Sequence, residues 1–380
     1  FGLPVILQGH NGGLGWALTP NQPDFADIYI EPEPKWRPSP KSLFSPITEE
    51  QFQALLLARI QPKAYFVRTP AGLVRERVDC MNTPRGPLIA RLGGENYTYR
   101  VGGYKDFGAL RQLFEMGQAQ NLDQFRAALS NQQLPCFHVV YADHFGNIFY
   151  GYNGKMAMRS PPVPAQMPAG EAEERQRVVG LDWNRPVPAG DPRTGWGEII
   201  PPGALPFLLN PPSGYIQACG NPPWAASDPQ PAPPSWPAWL CLDADTYRAR
   251  RARHLLSLGQ RSFYDMQAMV YDVLVPFAVG AVPTLLNAAE ERAAWVASAH
   301  PDVRAALEIL HDWNYVAEPL SPGMTLFHVW WSSYRALVPG APNETTLLDA
   351  FVGRRHNPQI ALDALGQAAR IMRNEFQSLT

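Results

Sequence analysis

The chain has 380 residues, with 32 Lys and Arg against 34 Asp and Glu, so its formal net charge is −2. Near-neutral charge without a basic run argues against a nucleic-acid-binding protein, since such proteins cluster Lys and Arg. The 40 prolines, about twice the usual share of ~5%, favour bends and ordered loops, and the length allows two or three compact units.

Neither a membrane span nor a cysteine-based metal site is predicted. The longest apolar run, VLVPFAVGAVPTLL at 273–286, contains two prolines and is shorter than the ~20 residues that cross a bilayer. Four cysteines lie far apart without C-x-x-C spacing, at positions 80, 136, 219 and 241. Buried free thiols are the favoured interpretation, and a Cys219–Cys241 disulfide in an oxidising compartment is the alternative.

The N-terminal part is predicted to consist of strands and loops. Residues 3–31 indicate short strands at LPVILQ, LGWALT and DIYIE, and PEPKWRPSPKSLFSP predicts a surface loop after them. Residues 63–80 predict a hairpin with Pro70, Ala71 and Gly72 at its turn, and GPLIARL continues the β character.

Helices and strands then alternate before the chain becomes helical. Apolar spacing over 105–132 predicts two amphipathic helices broken near Asn121. FHVVYAD and NIFYGYNG predict an antiparallel hairpin, and 161–213 is rich in proline with little periodicity. From Asp243 onward, four segments have helical period, including TYRARRARHLLSL and IALDALGQAARIMRNEF. We therefore predict a β-rich domain over 1–242 and a helical region over 243–380.

Sequence motifs exclude several kinds of site. The stretch GHNGGLGWALTPNQPDFADIY at 9–29 fails both glycine-rich phosphate templates. The chain contains neither H-E-x-x-H nor G-x-S-x-G, which argues against a catalytic zinc and a serine-hydrolase elbow. The arginines of RARRAR at 248–253 would point in all directions on a helix, which predicts a solvated face for most of them.

Two aspartates near the start of the chain suggest a cation site. Asp24 and Asp27, with the Ala26 carbonyl between them and Asp228 as a third carboxylate, are the oxygen ligands that calcium prefers. Aspartates in a turn more often bond to their own backbone, and the residues alone favour this second interpretation.

Four stretches together resemble the penicillin amidase family of N-terminal nucleophile hydrolases, particularly its cephalosporin or glutaryl acylase branch. In chain order they are GHNGGLGWALTPNQPDFADIYIE, VVYADHFGNIFYGYNGKMAMR, GEIIPPGALPFLLNPPSGYIQACGNPPW and TYRARRARHLL. The resemblance covers the central part of the family's β-chain. It implies an α+β fold, a four-layer αββα sandwich that is incomplete here, with a helical insertion.

The resemblance also implies a chemistry. Family members cleave acyl amides with an N-terminal serine whose own α-amine, with a pKa of ~7.7 to 8.0, acts as the base. The match begins downstream of that serine, and the chain starts at Phe1, so we expect the nucleophile to lie upstream and this chain itself to be inactive. An α-chain from the same precursor and a periplasmic or extracellular location are further expectations. No catalytic cofactor is implied.

The two oxyanion-hole positions that the resemblance implies are degenerate. One donor in the family is the backbone N–H after the threonine that corresponds to Thr19, and Pro20 has no N–H. The other is an asparagine side chain, at the position of Gly220, with Asn221 beside it. Losing one such donor costs a hydrolase ~100 to 1000-fold in rate.

Other positions carry over from the family with their alternatives. Arg248 matches an arginine that positions the site, or it is a surface helix residue. Leu18, Gln22 and Phe137 match walls of the acyl pocket, and core packing equally explains Leu18 and Phe137. The calcium ligands of some members match the oxygen set proposed above: Asp24, Ala26, Asp27 and Asp228. His138 stands where the family commonly has asparagine, and no role is assigned to it.

Three hypotheses follow. The first is a secreted or periplasmic amide hydrolase acting on a glutaryl, phenylacetyl or fatty-acyl amide. The second, motivated by Pro20 and Gly220, is a decayed homologue that binds a ligand or partner. The third and weakest is an unrelated secreted β-rich binding module. The first two require that the loop ending at Thr19 and the bend around Cys219 converge on one cleft.

Overall fold

A computed structural model describes residues 4–31, 59–70, 72–159, 183, 185–229, 240–338, 340, 344–355 and 357–379. These residues belong to two compact units. Unit 1 comprises 1–218, 222–224 and 232–243, and unit 2 comprises 219–221, 225–231 and 244–380. The predicted surface loop at 32–46 and residues 161–182 of the proline-rich stretch lie outside the described residues.

Unit 1 is built around two larger sheets. Sheet A has the antiparallel order β1 (Gly9–His10), β2 (Leu14–Thr19), β8 (Cys136–Asp143), β9 (Ile148–Gly154) and β13 (Phe207–Leu209). Sheet B has the order β11 (Val187–Pro188), β3 (Ala26–Glu31), β7 (Glu95–Val101) and β6 (Leu88–Leu92), with β11 parallel to β3. Two-stranded sheets pair β4 (Arg59–Thr69) with β5 (Gly72–Asn82), and β10 (Ala157–Arg159) with β12 (Trp196–Ile199).

Helices α1 (Ala109–Gln118) and α2 (Leu122–Leu129) cover one face of sheet A. Strand side chains alternate between faces, so one set faces these helices and forms a core with them. The core includes Leu14, Trp16, Val139, Tyr141 and Phe149 from the sheet and Leu113, Met116 and Phe125 from the helices. Asn121 caps α2 by accepting a hydrogen bond from Gln124 N, which confirms the predicted helix break.

The opposite face of sheet A carries several polar side chains. Thr19 pairs in register with His138, and His138 pairs with Tyr152. Since paired residues point to the same face, these side chains share the side of the sheet that α1 and α2 do not cover.

In sheet A, one predicted feature is confirmed and one predicted strand is wrong. The β8–β9 hairpin agrees with the predicted FHVVYAD and NIFYGYNG strands. The predicted LPVILQ strand is wrong for 4–8, because the chain bends there and the first strand is Gly9–His10. Pro4 lacks an N–H for strand pairing, and the Leu7 carbonyl instead accepts a hydrogen bond from Trp16 Nε1 at 3.0 Å.

Unit 2 is helical. Its helices are α3 (Tyr247–Ser257), α4 (Phe263–Val270), α5 (Pro276–Glu291), α6 (Ala293–Ser298), α7 (Pro301–Asp312), α8 (Pro322–Leu337), α9 (Glu344–Val352) and α10 (Pro358–Ile371). A π-helical turn, Met372–Phe376, follows α10. The core includes Leu285, Leu310, Trp330, Phe351 and Leu365. Among the described residues, none of the helices combines the length and hydropathy needed to cross a membrane.

Candidate active site

The loop that follows β2 is the predicted substrate-site loop, and Thr19, the last residue of β2 before it, contacts a distant segment. Thr19 Oγ1 donates a hydrogen bond to the carbonyl oxygen of Ala218 at 3.4 Å. Ala218 directly precedes Cys219 in the chain. Within unit 1, the first and third of the four family-like stretches are therefore neighbours in space.

The next residues of this loop are held by their backbone and side chains. Gln22 N–H donates to Asp243 Oδ2 at 3.0 Å, and the Gln22 carbonyl accepts from Leu242 N–H at 2.9 Å. Asn21 Nδ2 donates to the carbonyl of Asn153 in β9 at 2.9 Å. Pro20 itself is exposed and has no N–H to donate. The loop therefore has a fixed backbone but lacks the expected oxyanion donor.

Asp243 is the centre of a buried polar network behind the loop. Its Oδ2 also accepts from Tyr152 Oη at 2.6 Å, and its Oδ1 lies 3.8 Å from His138 Nε2. His138 Nδ1 and Tyr150 Oη are 2.8 Å apart. Burial alone would raise the pKa of Asp243, but His138, Tyr152 and the Gln22 amide together lower it below its ordinary value.

The sequence alone does not predict this network. Burial raises the pKa of Tyr150 and Tyr152 and raises that of the nearby Cys241 thiol to about 12. Alternation along β8 and β9 predicts that His138 and both tyrosines share a face. Nothing local connects them to Asp243, because the partner lies 91 residues from Tyr152 in the chain.

The three predicted acyl-pocket residues have different environments. Leu18 and Phe137 are partly buried and pack against the core between sheet A and helices α1 and α2. Gln22 is exposed, although its backbone is fixed. The contacts of Leu18 and Phe137 support the core-packing alternative, and a substrate contact for all three stays a prediction.

In unit 2, Arg248 and Asn221 hold the two backbone groups of Cys219. Arg248 Nη2 donates to the Cys219 carbonyl at 2.9 Å, and Cys219 N–H donates to Asn221 Oδ1 at 2.8 Å. Gly220, which lies between Cys219 and Asn221 in the chain, has a φ of +69°, in the left-handed region. Asn221 is fully buried. This turn explains a glycine at position 220, since few other residues adopt that conformation without strain.

Asp24 and Asp27, the predicted calcium ligands of unit 1, bind an arginine. Arg159 Nη2 donates to Asp24 Oδ1 at 2.7 Å, Nη1 pairs with Asp24 Oδ2, and Nε donates to Asp27 Oδ2 at 3.0 Å. Trp196 Nε1 also donates to Asp27 Oδ2. Burial raises the pKa of Asp24, and it raises that of Asp27 to about 6 against the opposing effect of Arg159.

This arrangement does not fit a calcium ion. Calcium takes six to eight oxygen ligands, and three of the four carboxylate oxygens already accept hydrogen bonds, leaving Asp27 Oδ1. Asp228 belongs to unit 2, where it lies 3.6 Å from Arg253. No group of three or more His, Cys, Asp or Glu that could hold a metal occurs in the described part of the chain. Calcium binding, with Ala26 as a carbonyl ligand, stays a prediction.

The predicted solvated face of RARRAR is wrong. Arg250 forms a bidentate ion pair with Asp349, with N–O distances of 2.8 and 2.9 Å. Arg251 forms another bidentate pair with Asp272. Arg253 is buried and pairs with Asp245 at 2.8 Å. These arginines form ion pairs because acidic residues from outside the stretch lie against α3. Helical periodicity does not reveal such partners.

The four cysteines are free thiols, as the favoured interpretation predicts, but they are half-buried instead of buried. Burial is the main reason that the pKa values of Cys136 and Cys219 are raised. Neither of these two thiols therefore resembles an activated thiolate nucleophile.

Comparisons with known proteins find relatives that are named acylases. Acyl-homoserine lactone acylase QuiP of Pseudomonas fluorescens is 26% identical over 283 residues, which cover 73% of this chain and 30% of that protein. QuiP of Pseudomonas putida is 24% identical over 217 residues, 57% of this chain and 23% of that protein. The chain thus spans less than a third of the length of these curated relatives.

A solved structure shows the same fold. The thermostable penicillin G acylase from Alcaligenes faecalis matches with a TM-score of 0.64 and 19% identity, covering 100% of this chain and 71% of that chain. The penicillin amidase family model matches residues 1–379. The chain is therefore a member of the penicillin amidase family.

Proposed function

We propose that this chain is the central part of the β-chain of an N-terminal nucleophile hydrolase that cleaves the C–N bond of an acyl amide. The observation that carries this is the Thr19–Ala218 hydrogen bond, which joins two of the family-like stretches beside the loop of Pro20. The serine nucleophile would come from residues upstream, and the rest of the site from this chain and an α-chain of the same precursor. The chain by itself would then be inactive.

The proposed architecture is the four-layer sandwich. Sheets A and B would be its two inner layers, and α1 with α2 part of one outer layer, since these helices pack on sheet A. The division into 1–242 and 243–380 stays a prediction.

The proposed substrate is an N-acyl-homoserine lactone with a fatty-acyl group. The relatives are named acyl-homoserine lactone acylases, and this name supports the lactone over a glutaryl or phenylacetyl amide. A periplasmic or extracellular location and the absence of a catalytic cofactor follow from the same proposal.

The chain's own part in the reaction would be to hold the substrate loop rigid. Asp243 fixes the Gln22 amide, and Leu242 fixes the Gln22 carbonyl, so the loop is organised before substrate binds. Preorganised groups stabilise a tetrahedral intermediate because they need no rearrangement when charge develops. Arg248 would position the Cys219 turn in the same way, with Asn221 as the side-chain amide nearest the degenerate position.

A decayed homologue that only binds ligand is the second candidate. Pro20 offers no N–H, and Gly220 offers no side chain, so both expected oxyanion donors are missing. In this case the pocket would still accept an acyl amide without turning it over.

The first experiment assays the full-length processed protein against a panel of acyl amides. The panel contains a long-chain N-acyl-homoserine lactone, a phenylacetyl amide and a glutaryl amide, with release of free amine as the readout. We expect turnover with a preference for the long acyl chain. No amine release from any member, together with calorimetric binding of the lactone, would favour the decayed homologue; neither turnover nor binding would contradict both candidates.

The second experiment restores the missing donor. In the full-length protein, Pro20→Ala supplies a backbone N–H, and we expect the rate to rise by up to ~100 to 1000-fold if that donor limits the chemistry. Pro70→Ala is the matched control, because Pro70 is also an exposed proline of unit 1, at the β4–β5 turn. Equal rates for the two variants would mean that the N–H at position 20 has no part in catalysis.

A further inference from the structure

Two buried carboxylates of unit 1 share one buried guanidinium. Asp24 is 7% exposed, Asp27 is 2% exposed and Arg159 is 4% exposed. Arg159 comes from the end of β10, whereas Asp24 precedes β3 and Asp27 lies within it. The three side chains therefore connect two different sheets of the unit through charge.

Buried carboxylates this close need a cation, because each disfavours the ionised form of the other. Proteins supply that cation as a metal ion or as a basic side chain. A guanidinium suits two carboxylates well, since its planar fork offers several donors in fixed directions.

The donors of Arg159 are directed at both partners. Its Nη atoms bind the Asp24 carboxylate, with Nη2 also donating to the Asp24 backbone carbonyl at 2.9 Å, and its Nε binds Asp27. Two indoles complete the surroundings. The Trp183 ring lies 5.1 Å from the guanidinium carbon, and the Trp196 indole donates to Asp27. Water has little access to the cluster.

We propose that Arg159 is the permanent counter-ion of Asp24 and Asp27 and takes the place of a divalent cation, so that this part of unit 1 folds without metal. A calcium ion on the same oxygens would lie ~2.3 to 2.6 Å from them, and the guanidinium bound to those oxygens would repel it at close range. The inference concerns folding alone and is independent of amide hydrolysis.

The wild-type test measures urea unfolding with a chelator and with added CaCl₂. A ligand that binds the folded state raises its stability in proportion to the logarithm of its concentration. We expect no shift in the unfolding midpoint between the two conditions. We also expect no terbium luminescence sensitised by Trp196, which lies beside the carboxylates. A midpoint that falls in chelator, with the difference abolished by Asp27→Asn, would overturn the proposal.

The variant test removes the guanidinium. Arg159→Met keeps an unbranched, partly apolar side chain and loses the guanidinium charge, leaving two unneutralised carboxylates. We expect a lower midpoint in chelator, recovery with CaCl₂, and a terbium signal that Asp24→Asn removes. Arg111→Met is the control, because Arg111 is an exposed arginine paired with Glu115 on α1, and it should show no metal response.

The remaining outcomes also decide the question. If the Arg159→Met variant is as stable as wild type and its unfolding midpoint does not depend on metal, the proposal is overturned. The carboxylates would then need no counter-ion. If this variant does not fold in either condition, Arg159→Lys provides the comparison. A lysine keeps one charge but cannot bridge both carboxylates, so we expect partial loss of stability without a metal response. An unfolding midpoint of Arg159→Lys that rises with CaCl₂ would contradict us.

Discussion

Asp243 joins three parts of unit 1 that lie far apart in the chain. One of its oxygens accepts hydrogen bonds from the loop residue Gln22 and from Tyr152 in β9. The groups that face its carboxyl are His138, Tyr152 and the Cys241 thiol, and Tyr150 lies behind His138. A buried carboxylate with these donors stabilises the fold only while it is ionised.

The pH dependence of this residue follows from its lowered pKa. A carboxyl group whose pKa is lower in the folded state contributes stability above its unfolded pKa of ~3.9, and this is lost as pH falls through the folded value. We expect Asp243→Asn to cost about 1.5–3 kcal/mol of unfolding free energy at neutral pH, by loss of charged hydrogen bonds. Urea unfolding from pH 7 to pH 3 measures both effects.

The control for that experiment is Glu198→Gln, which removes an exposed carboxylate on β12 of the same unit. The difference between wild type and Asp243→Asn should shrink below about pH 4, whereas Glu198→Gln should follow wild type throughout. A difference that stays constant down to pH 3 would show that ionisation of Asp243 does not contribute.

The backbone conformation of Gly220 limits which residues can replace it. Its φ of +69° is left-handed, and an added Cβ would meet only Arg248 Nη2, at 3.4 Å. Asn tolerates this conformation better than β-branched residues do, so we expect Gly220→Asn to remain near wild-type stability and Gly220→Val to lose about 1–2 kcal/mol. Urea unfolding of the pair measures it, and equal losses would contradict the backbone argument.

At the scale of the element, helix α2 shows how local signals set boundaries. Asn121 caps the helix, and Asp123 places a negative charge in its first turn. Both signals are local in the sequence, which is why the break between α1 and α2 was predictable. The LPVILQ strand was mispredicted because apolar residues favour a strand locally, whereas strand pairing depends on a neighbour elsewhere in the chain. Ile6 and Leu7 of this stretch are exposed.

The Asn121 cap should contribute to the stability of helix α2. Asn121→Ala removes the acceptor for Gln124 N–H, and we expect a loss of about 0.5–2 kcal/mol in unfolding free energy. Asn121→Ser keeps a good cap and should recover most of it. If the serine variant is as unstable as the alanine variant, the capping hydrogen bond is not the cause.

At the scale of the whole molecule, the described residues contain two larger cores, a small core around Tyr29 in sheet B, and an exposed hairpin. The larger cores lie around sheet A and around α8 and α10. Strands β4 and β5 form a two-stranded sheet with exposed apolar side chains, such as Phe66 at 67% and Leu73 at 68%. An isolated two-stranded sheet is only marginally stable in water.

Hydrogen exchange should therefore proceed in an order set by packing. We expect amides of β4 and β5 to exchange first, and those of β8, β9 and α8 to be the slowest, because the latter open only with their cores. Peptide-level mass spectrometry measures this order. Protection of the hairpin equal to that of β8 would contradict it and would indicate that something covers the hairpin.

Local patterns in the sequence were sufficient for the β-rich first part, the helical second part, the β8–β9 hairpin and the family resemblance, because periodicity, turns and motifs are properties of neighbouring residues. Only the tertiary structure decided what the buried charges bind. Arg159 meets Asp27 across 132 residues, and Asp243 meets Gln22 across 221. Partners of a buried charge are chosen by packing and desolvation, which no local period encodes.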